Sequence, residues 1–161
     1  MIVGNGDLAS TLKDRPGFIW FASGVSNSQE VREAEYGREI DLLMSQPKDK
    51  HLVYFSSLSI FYTDGRYQLH KRQMEEIIKS NFKRYTIVRL GNITWGNNPH
   101  TFINYLKNHP EAEIRDEYRF VIDKDEFQWW MNLIPNWSCE YNVPGRRLKV
   151  KEVYEQYVRG V

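Results

Sequence analysis

The sequence predicts an α/β fold in three layers, a reduced parallel sheet flanked by helices. Three short apolar runs, Phe18–Ala22, Leu52–Phe55 and Tyr85–Leu90, lack the alternation of a half-exposed strand and read as strands covered on both faces. Segments of helical period separate them, and strand-helix-strand alternation implies right-handed parallel crossovers. Each run also ends in small polar residues, the composition that borders a ligand at the carboxyl edge of such a sheet.

With 161 residues, 41% hydrophobic and 27% charged, the chain fits one domain over 1–161, with a small substrate-side portion from about residue 96. The formal charge of +1, with acids and bases interleaved, makes nucleic acid a poor partner. No apolar run spans a bilayer and no export signal opens the chain, so a soluble cytoplasmic protein without membrane contact is expected. The single cysteine, Cys139, cannot pair within the chain and reads as a structural thiol. His51, His70, His100 and His109 lack metal-ligand spacing; no metal is expected, and each should be satisfied or solvent-facing.

In chain order, Met1–Val3 is a short strand running into Gly4-x-Gly6-x-x-Ala9 and a helix through Leu12. This is the context of a dinucleotide turn: Gly4 for the tight bend, Gly6 for backbone approach to a pyrophosphate at a helix N-terminus, and Ala9 for close packing. Asp7 is a carboxylate where phosphates would lie, or simply a helix N-cap. The Phe18–Ala22 strand ends in Ser23-Gly24-Val25-Ser26, which could border a ligand or, with Gln29 three residues after Ser26, cap the next helix. That helix should run from about Gln29 to Ser45, packing through Val31, Ala34, Ile40, Leu43 and Met44.

The next strand ends at Ser56-Ser57, and a helix follows from Tyr67 with Lys71, Met74 and Ile78 on the same face and a Glu75–Lys79 pair beside it. Tyr67 and Lys71 stand one turn apart, so phenol and ammonium can serve one reacting hydroxyl. A phenol has a pKa of about 10, and a neighbouring cation favours its ionised form, bringing it toward use as a base. Ten tyrosines and ten lysines in 161 residues give about 0.6 such spacings by chance, so the pair gains weight only from the strand and serines before it. Ser57 could hold the same substrate hydroxyl.

Tyr85–Leu90 closes with Gly91-Asn92 and a turn-rich Trp95–Pro99. Thr101–Asn108 should be a short helix, Tyr118–Ile122 a strand, and Asp123 with Glu126 the capping-box start of a helix through Leu133. That helix carries Trp129 and Trp130, for which packing is the ordinary use. Tyr141–Gly145 reads as extended chain with a turn, and Val150–Val158 as an amphipathic helix.

In that order the chain resembles the extended short-chain dehydrogenase/reductases, the NAD-dependent epimerase/dehydratase group, whose fold is Rossmann-like. The matching residues are Gly4-x-Gly6-x-x-Ala9, Phe21-Ala22-Ser23-Gly24, Ser56-Ser57-Leu58-Ser59, Tyr67-x-x-x-Lys71, Arg89-Leu90-Gly91-Asn92 with Gly96, Phe120–Asp123 with Asp125, and Tyr141-Asn142-Val143. The resemblance implies NAD or NADP as cofactor, a nucleotide-linked sugar as substrate, a homodimer, and a place in surface polysaccharide biosynthesis. It makes Tyr67 the acid/base, Lys71 the ligand of the nicotinamide ribose that lowers the Tyr67 pKa, and Ser57 the group orienting the substrate hydroxyl. Gly4, Gly6, Ala9, Ala22, Ser23 and Gly24 fall on the cofactor side, Ser59 and Asn92 on the substrate side. Ser59 stands where dehydratases of the group carry an acid, which favours epimerisation or reduction over water elimination.

The chain departs from the family between the glycine turn and the Ala22-Ser23 strand, where Ser10–Gly17 replaces two strands and a helix. The residue that reads the adenosine ribose is lost with them, so binding should be weak, with little choice between NAD and NADP, unless a neighbouring subunit supplies the absent wall. A decayed nucleotide-binding or assembly subunit is the alternative. The first strand should lie at or near a sheet edge, with the Phe18, Leu52 and Tyr85 strands next in order, and Ser10–Gly17 or a partner chain should cover that edge.

Overall fold

The computed structural model describes residues 1–160. Strands β1 (Ile2–Val3) and β2 (Phe18–Phe21) lead to helix α1 (Glu33–Met44), followed by β3 (His51–Ser57), α2 (Arg66–Asn81) and β4 (Arg84–Leu90). The remainder comprises β5 (Asn92–Ile93), α3 (Phe102–Asn108), β6 (Tyr118–Ile122), α4 (Lys124–Asn132), β7 (Cys139–Val143), β8 (Arg146–Lys149) and α5 (Val150–Val153). The backbone continues past α5 as a wider π-helical turn over Tyr154–Arg159.

The main sheet has the order β1-β2-β3-β4-β7, every pair parallel. All four residues of β2 are buried, because alternate side chains serve opposite layers. Phe18 and Trp20 join Val53, Phe55, Val88 and Leu90 under Phe127 and Met131 of α4. Ile19 and Phe21 join Leu52 and Tyr54 under Leu43 of α1 and Met74 and Ile78 of α2. A second sheet, β5-β6-β8, pairs β6 parallel to β5 and antiparallel to β8.

The edge position of β1 and the order of the next three strands match the sequence reading. Several local expectations fail. The glycine turn leads into a single 3-10 turn, Ala9–Thr11, instead of a helix through Leu12. Helix α1 starts at Glu33, four residues late, and Val31, Ala34 and Met44 face outward; Tyr36, Glu39 and Leu43 are its buried row. Ser26 caps no helix, its hydroxyl accepting from Asn98 Nδ2 at 3.0 Å. Asp123 makes no cap bond in α4, because its carboxylate accepts from Thr94, Arg146 and Tyr157. Tyr141–Val143 belongs to the fifth strand of the main sheet.

Ser10–Gly17 does not pair with β1. Leu12 packs on the Phe18 layer, Thr11 O accepts from Gln128 of α4, and Arg15 donates to Ile134 O and Asn136. Its link to the first strand is the Met1 ammonium on Asp14. The segment thus takes over part of a helical layer, and among the described residues β1 pairs only with β2. Because all five strands are parallel, Gly4, Ala22, Ser57 and Gly91 emerge at one edge, where such sheets bind ligands.

Candidate active site

At that edge Gly4 has φ +119°, and a Cβ there would stand 2.4 Å from Ala22 O, so glycine is what lets the first turn pass under the β2 loop. A Cβ on Gly6 would have no atom within 4 Å: this glycine opens onto the cleft. Ala9 is buried behind it. Asp7 turns away from its own segment and caps another, its carboxylate accepting from the N–H groups of Asn97 at 3.0 Å and Asn98 at 2.9 Å. Gly96, at φ +96°, makes room, since a Cβ would lie 2.1 Å from the Asp7 carboxyl carbon. The turn that would hold a pyrophosphate is thereby tied to the Trp95–Asn98 loop.

Ser57 ends β3. Its hydroxyl accepts from Ser59 N at 3.1 Å, capping the short 3-10 turn Leu58–Phe61, and lies 2.7 Å from the Ser59 hydroxyl. Gln68 Nε2 donates to Ser59 at 3.1 Å. Asn92 uses its amide on Phe120 O at 2.9 Å, fastening β5 beside β6.

Helix α2 presents Tyr67, half-buried, and Lys71, buried, with the ammonium 5.4 Å from the centre of the Tyr67 ring. Lys71 is also committed elsewhere: it donates to Tyr54 OH at 3.2 Å and lies 3.7 Å from Glu39 Oε1. Glu39 is fully buried and accepts from Val25 N–H at 2.6 Å and from the Tyr54 hydroxyl. His70 Nε2 lies 3.2 Å from Glu39 Oε1, but neither ring nitrogen of His70 makes a hydrogen bond. His70 is thus neither satisfied nor solvent-facing.

Burial pushes the Glu39 carboxyl up, but Lys71, His70, Tyr54 and the Val25 N–H together bring it to about 2. The sequence expectation for Tyr67 is reversed. Burial raises its pKa, Lys71 pulls it down, Glu39 pushes it up again, and the net shift is upward. Glu39 and Tyr54 were the residues sequence reasoning missed. A usable signal existed: Glu39 is a charge in the row Tyr36, Glu39, Leu43, the i, i+3, i+7 stripe that a helix buries.

Gly4, Gly6, Ala22, Ser23, Gly24, Ser57, Ser59, Tyr67, Lys71 and Asn92 all line one cleft of about 1730 Å³; Ala9 lies beneath it. Among the described residues no helix is long and apolar enough to cross a membrane.

No family model and no curated protein matches the sequence. Solved structures match at the level of fold. One is the Bordetella bronchiseptica enzyme WbmG in complex with NAD and UDP, with TM-score 0.67 and 16% identity over 91% of this chain and 56% of that one. Another is dTDP-4-dehydrorhamnose reductase from Bacillus anthracis in complex with NADP, with TM-score 0.61 and 17% identity over 87% of this chain and 62% of that one. A third is UDP-N-acetylglucosamine 4-epimerase from Methanobrevibacter ruminantium in complex with UDP-N-acetylmuramic acid, with TM-score 0.58 and 15% identity over 86% and 58%. The chain therefore shares the fold of these three enzymes, and spans 56–62% of their length.

Proposed function

We propose that the cleft binds a nicotinamide dinucleotide, NAD or NADP, and acts on a nucleotide-linked sugar, with Tyr67, Lys71 and Ser57 as its chemical groups. The observation that carries this reading is their convergence with Gly4 and Gly6 on one cleft at the carboxyl edge of a parallel sheet. The nicotinamide half of the cofactor fits: Tyr67, Lys71 and Ser57 face the cleft, and Gly6 opens onto it. The adenosine half has no second strand and no helix N-terminus after the glycine turn. Cofactor contacts on this chain therefore fall to Gly4, Gly6, the Ala22–Gly24 loop, Tyr67 and Lys71.

When bound, the nicotinamide would supply or accept the hydride. The rest is proton handling by the chain. A phenol held above its ordinary pKa keeps its proton at neutral pH, so Tyr67 is suited to donate to a sugar carbonyl oxygen as hydride reaches its carbon. Gln68 donates to Ser59, and in the arrangement where Ser59 donates to Ser57 across their 2.7 Å contact the Ser57 hydrogen is free for the same oxygen. Epimerisation begins with Tyr67 as a base, so this arrangement favours ketone reduction. A role in surface polysaccharide biosynthesis and assembly as a homodimer belong to the same proposal.

The missing adenosine wall favours a second reading, a nucleotide-binding or assembly subunit without turnover. Following the absorbance of NADH and NADPH with nucleotide-linked keto-sugars separates the two. Turnover by the wild type, reduced about 10²–10⁴-fold in Tyr67→Phe, is the expected result. Binding without turnover would select the second reading, and undiminished turnover in Tyr67→Phe would overturn the assignment of Tyr67.

A further inference from the structure

Glu39 serves neither of the roles that a carboxylate on a helix ordinarily has, since it caps nothing in α1 and touches no solvent. Its two oxygens instead gather three separate elements. Oε1 takes the Val25 N–H of the loop after β2, Oε2 takes the Tyr54 hydroxyl of β3, and Lys71 of α2 completes the set. Gly24 makes the arrangement possible. A Cβ there would stand 2.9 Å from Lys71 Nζ and 3.2 Å from Glu39 Oε1, so glycine lets the loop close over the ion pair without displacing either side-chain end. The ammonium beside Tyr67 is thus held by a fixed counter-charge on another helix.

We infer that Glu39 is a positioning residue that acts through Lys71: it holds the ammonium under the Ser23–Val25 loop and balances its charge, so that Tyr67 stays a proton donor. This rests on the reading of the cleft as a proton-transfer site and deepens it. The charged groups that bear on Tyr67 are Lys71 on its own helix and Glu39 on α1; Tyr67 in turn raises its neighbours Tyr36 on α1 and Tyr54 on β3. Glu75 adds to the field at Tyr54, and Arg66 and Glu33 to that at Tyr36. His70 stacks against Tyr36 at 4.6 Å. Of these, Lys71 alone pulls the phenol down in the balance at Tyr67, and Glu39 is its opposite. Removing the Glu39 charge without changing its shape leaves the pull of Lys71 uncompensated.

The test follows the tyrosinate absorbance of the cofactor-free protein against pH, each trace differenced from the same background carrying Tyr67→Phe. Glu39→Gln should move the Tyr67 transition down by about one pH unit or more. Adding Lys71→Met to Glu39→Gln should return it to within about half a unit of the wild type. Failure of Glu39→Gln to fold while the double variant folds would equally support the pairing, because only the uncompensated ammonium differs. Coincident transitions in the wild type and Glu39→Gln, a drop that persists in the double variant, or loss of folding in both would overturn the inference. A parallel NADH titration of the wild type keeps the two claims apart: absence of binding defeats the proposed cofactor and leaves the Tyr67 transition readable.

Discussion

Two buried groups, His51 and Glu39, set how the protein responds to acid, and both act in the same direction. Burial pushes the His51 imidazole down from 6.5 to about 4, with Arg84 and Arg15 adding to the shift. The unfolded chain then takes up a proton that the folded one refuses, so this contribution is whole above about pH 6.5 and lost as pH falls through about 4. Glu39 goes from 4.5 to about 2 on folding; its contribution, roughly 3 kcal/mol, is whole above about pH 4.5 and lost as pH falls through about 2. Urea midpoints measured against pH should show two successive declines, and His51→Gln should remove the first and leave the second. A single decline in the wild type would contradict the two windows. At this scale the nearness of Tyr67 and Lys71 was legible, because an i, i+4 pair is a local pattern. It hid Glu39 and Tyr54, whose partners lie on other elements, and so the sign of the Tyr67 shift was out of reach.

Between elements, charge went where burial required it. Spacing alone pairs Glu75 with Lys79, but Glu75 is on the buried face of α2. It accepts from Ser56 of β3 at 2.7 Å and from Arg89 of β4 at 2.6 Å, while Lys79 turns to Glu76 and Glu140. Arg89 also reaches Glu140 of β7, so the Glu75 carboxylate ties α2 to β3 and β4, and Arg89 carries the link on to β7. The Arg89 and Glu75 side chains are only 11% and 4% exposed, which makes an orphaned partner costly. Glu75→Ala should destabilise by about 3–5 kcal/mol, read as a fall in the urea midpoint; a change below about 1 kcal/mol would mean that water replaces the carboxylate. Gly96→Ala should cost about 1–3 kcal/mol through its positive φ, and more through the collision with Asp7. The late start of α1 has the same character. Asn27 and Glu30 use their side chains on nearby backbone N–H groups, holding 27–32 out of the helix that periodicity alone would extend.

For the whole molecule, the strands buried on both faces were legible because apolar residues crowd them without strict alternation, and with them the order of the first four strands. Strand β7 was read only as extended chain because its burial alternates, and the second sheet was missed because β5 is two residues long and β8 mostly charged. The proposed dimer through α1 and α2 would cover Val31, Met44 and Leu69, apolar side chains left outside on and around these helices. Light scattering at micromolar concentration should return twice the monomer mass, and a monomer would remove that part of the proposal. The central proposal is that a dinucleotide is gripped at its pyrophosphate and its nicotinamide half, with no wall for the adenosine ribose. Two missing hydrogen bonds on the adenosine ribose, at about 1 kcal/mol each, weaken binding roughly 30-fold and leave nothing to read the 2′ position. Calorimetry with NADH and NADPH tests this most directly: weak binding of both with similar affinity, lost in Lys71→Ala, is the predicted result, and either no binding or tight binding of one with a large preference over the other would contradict it.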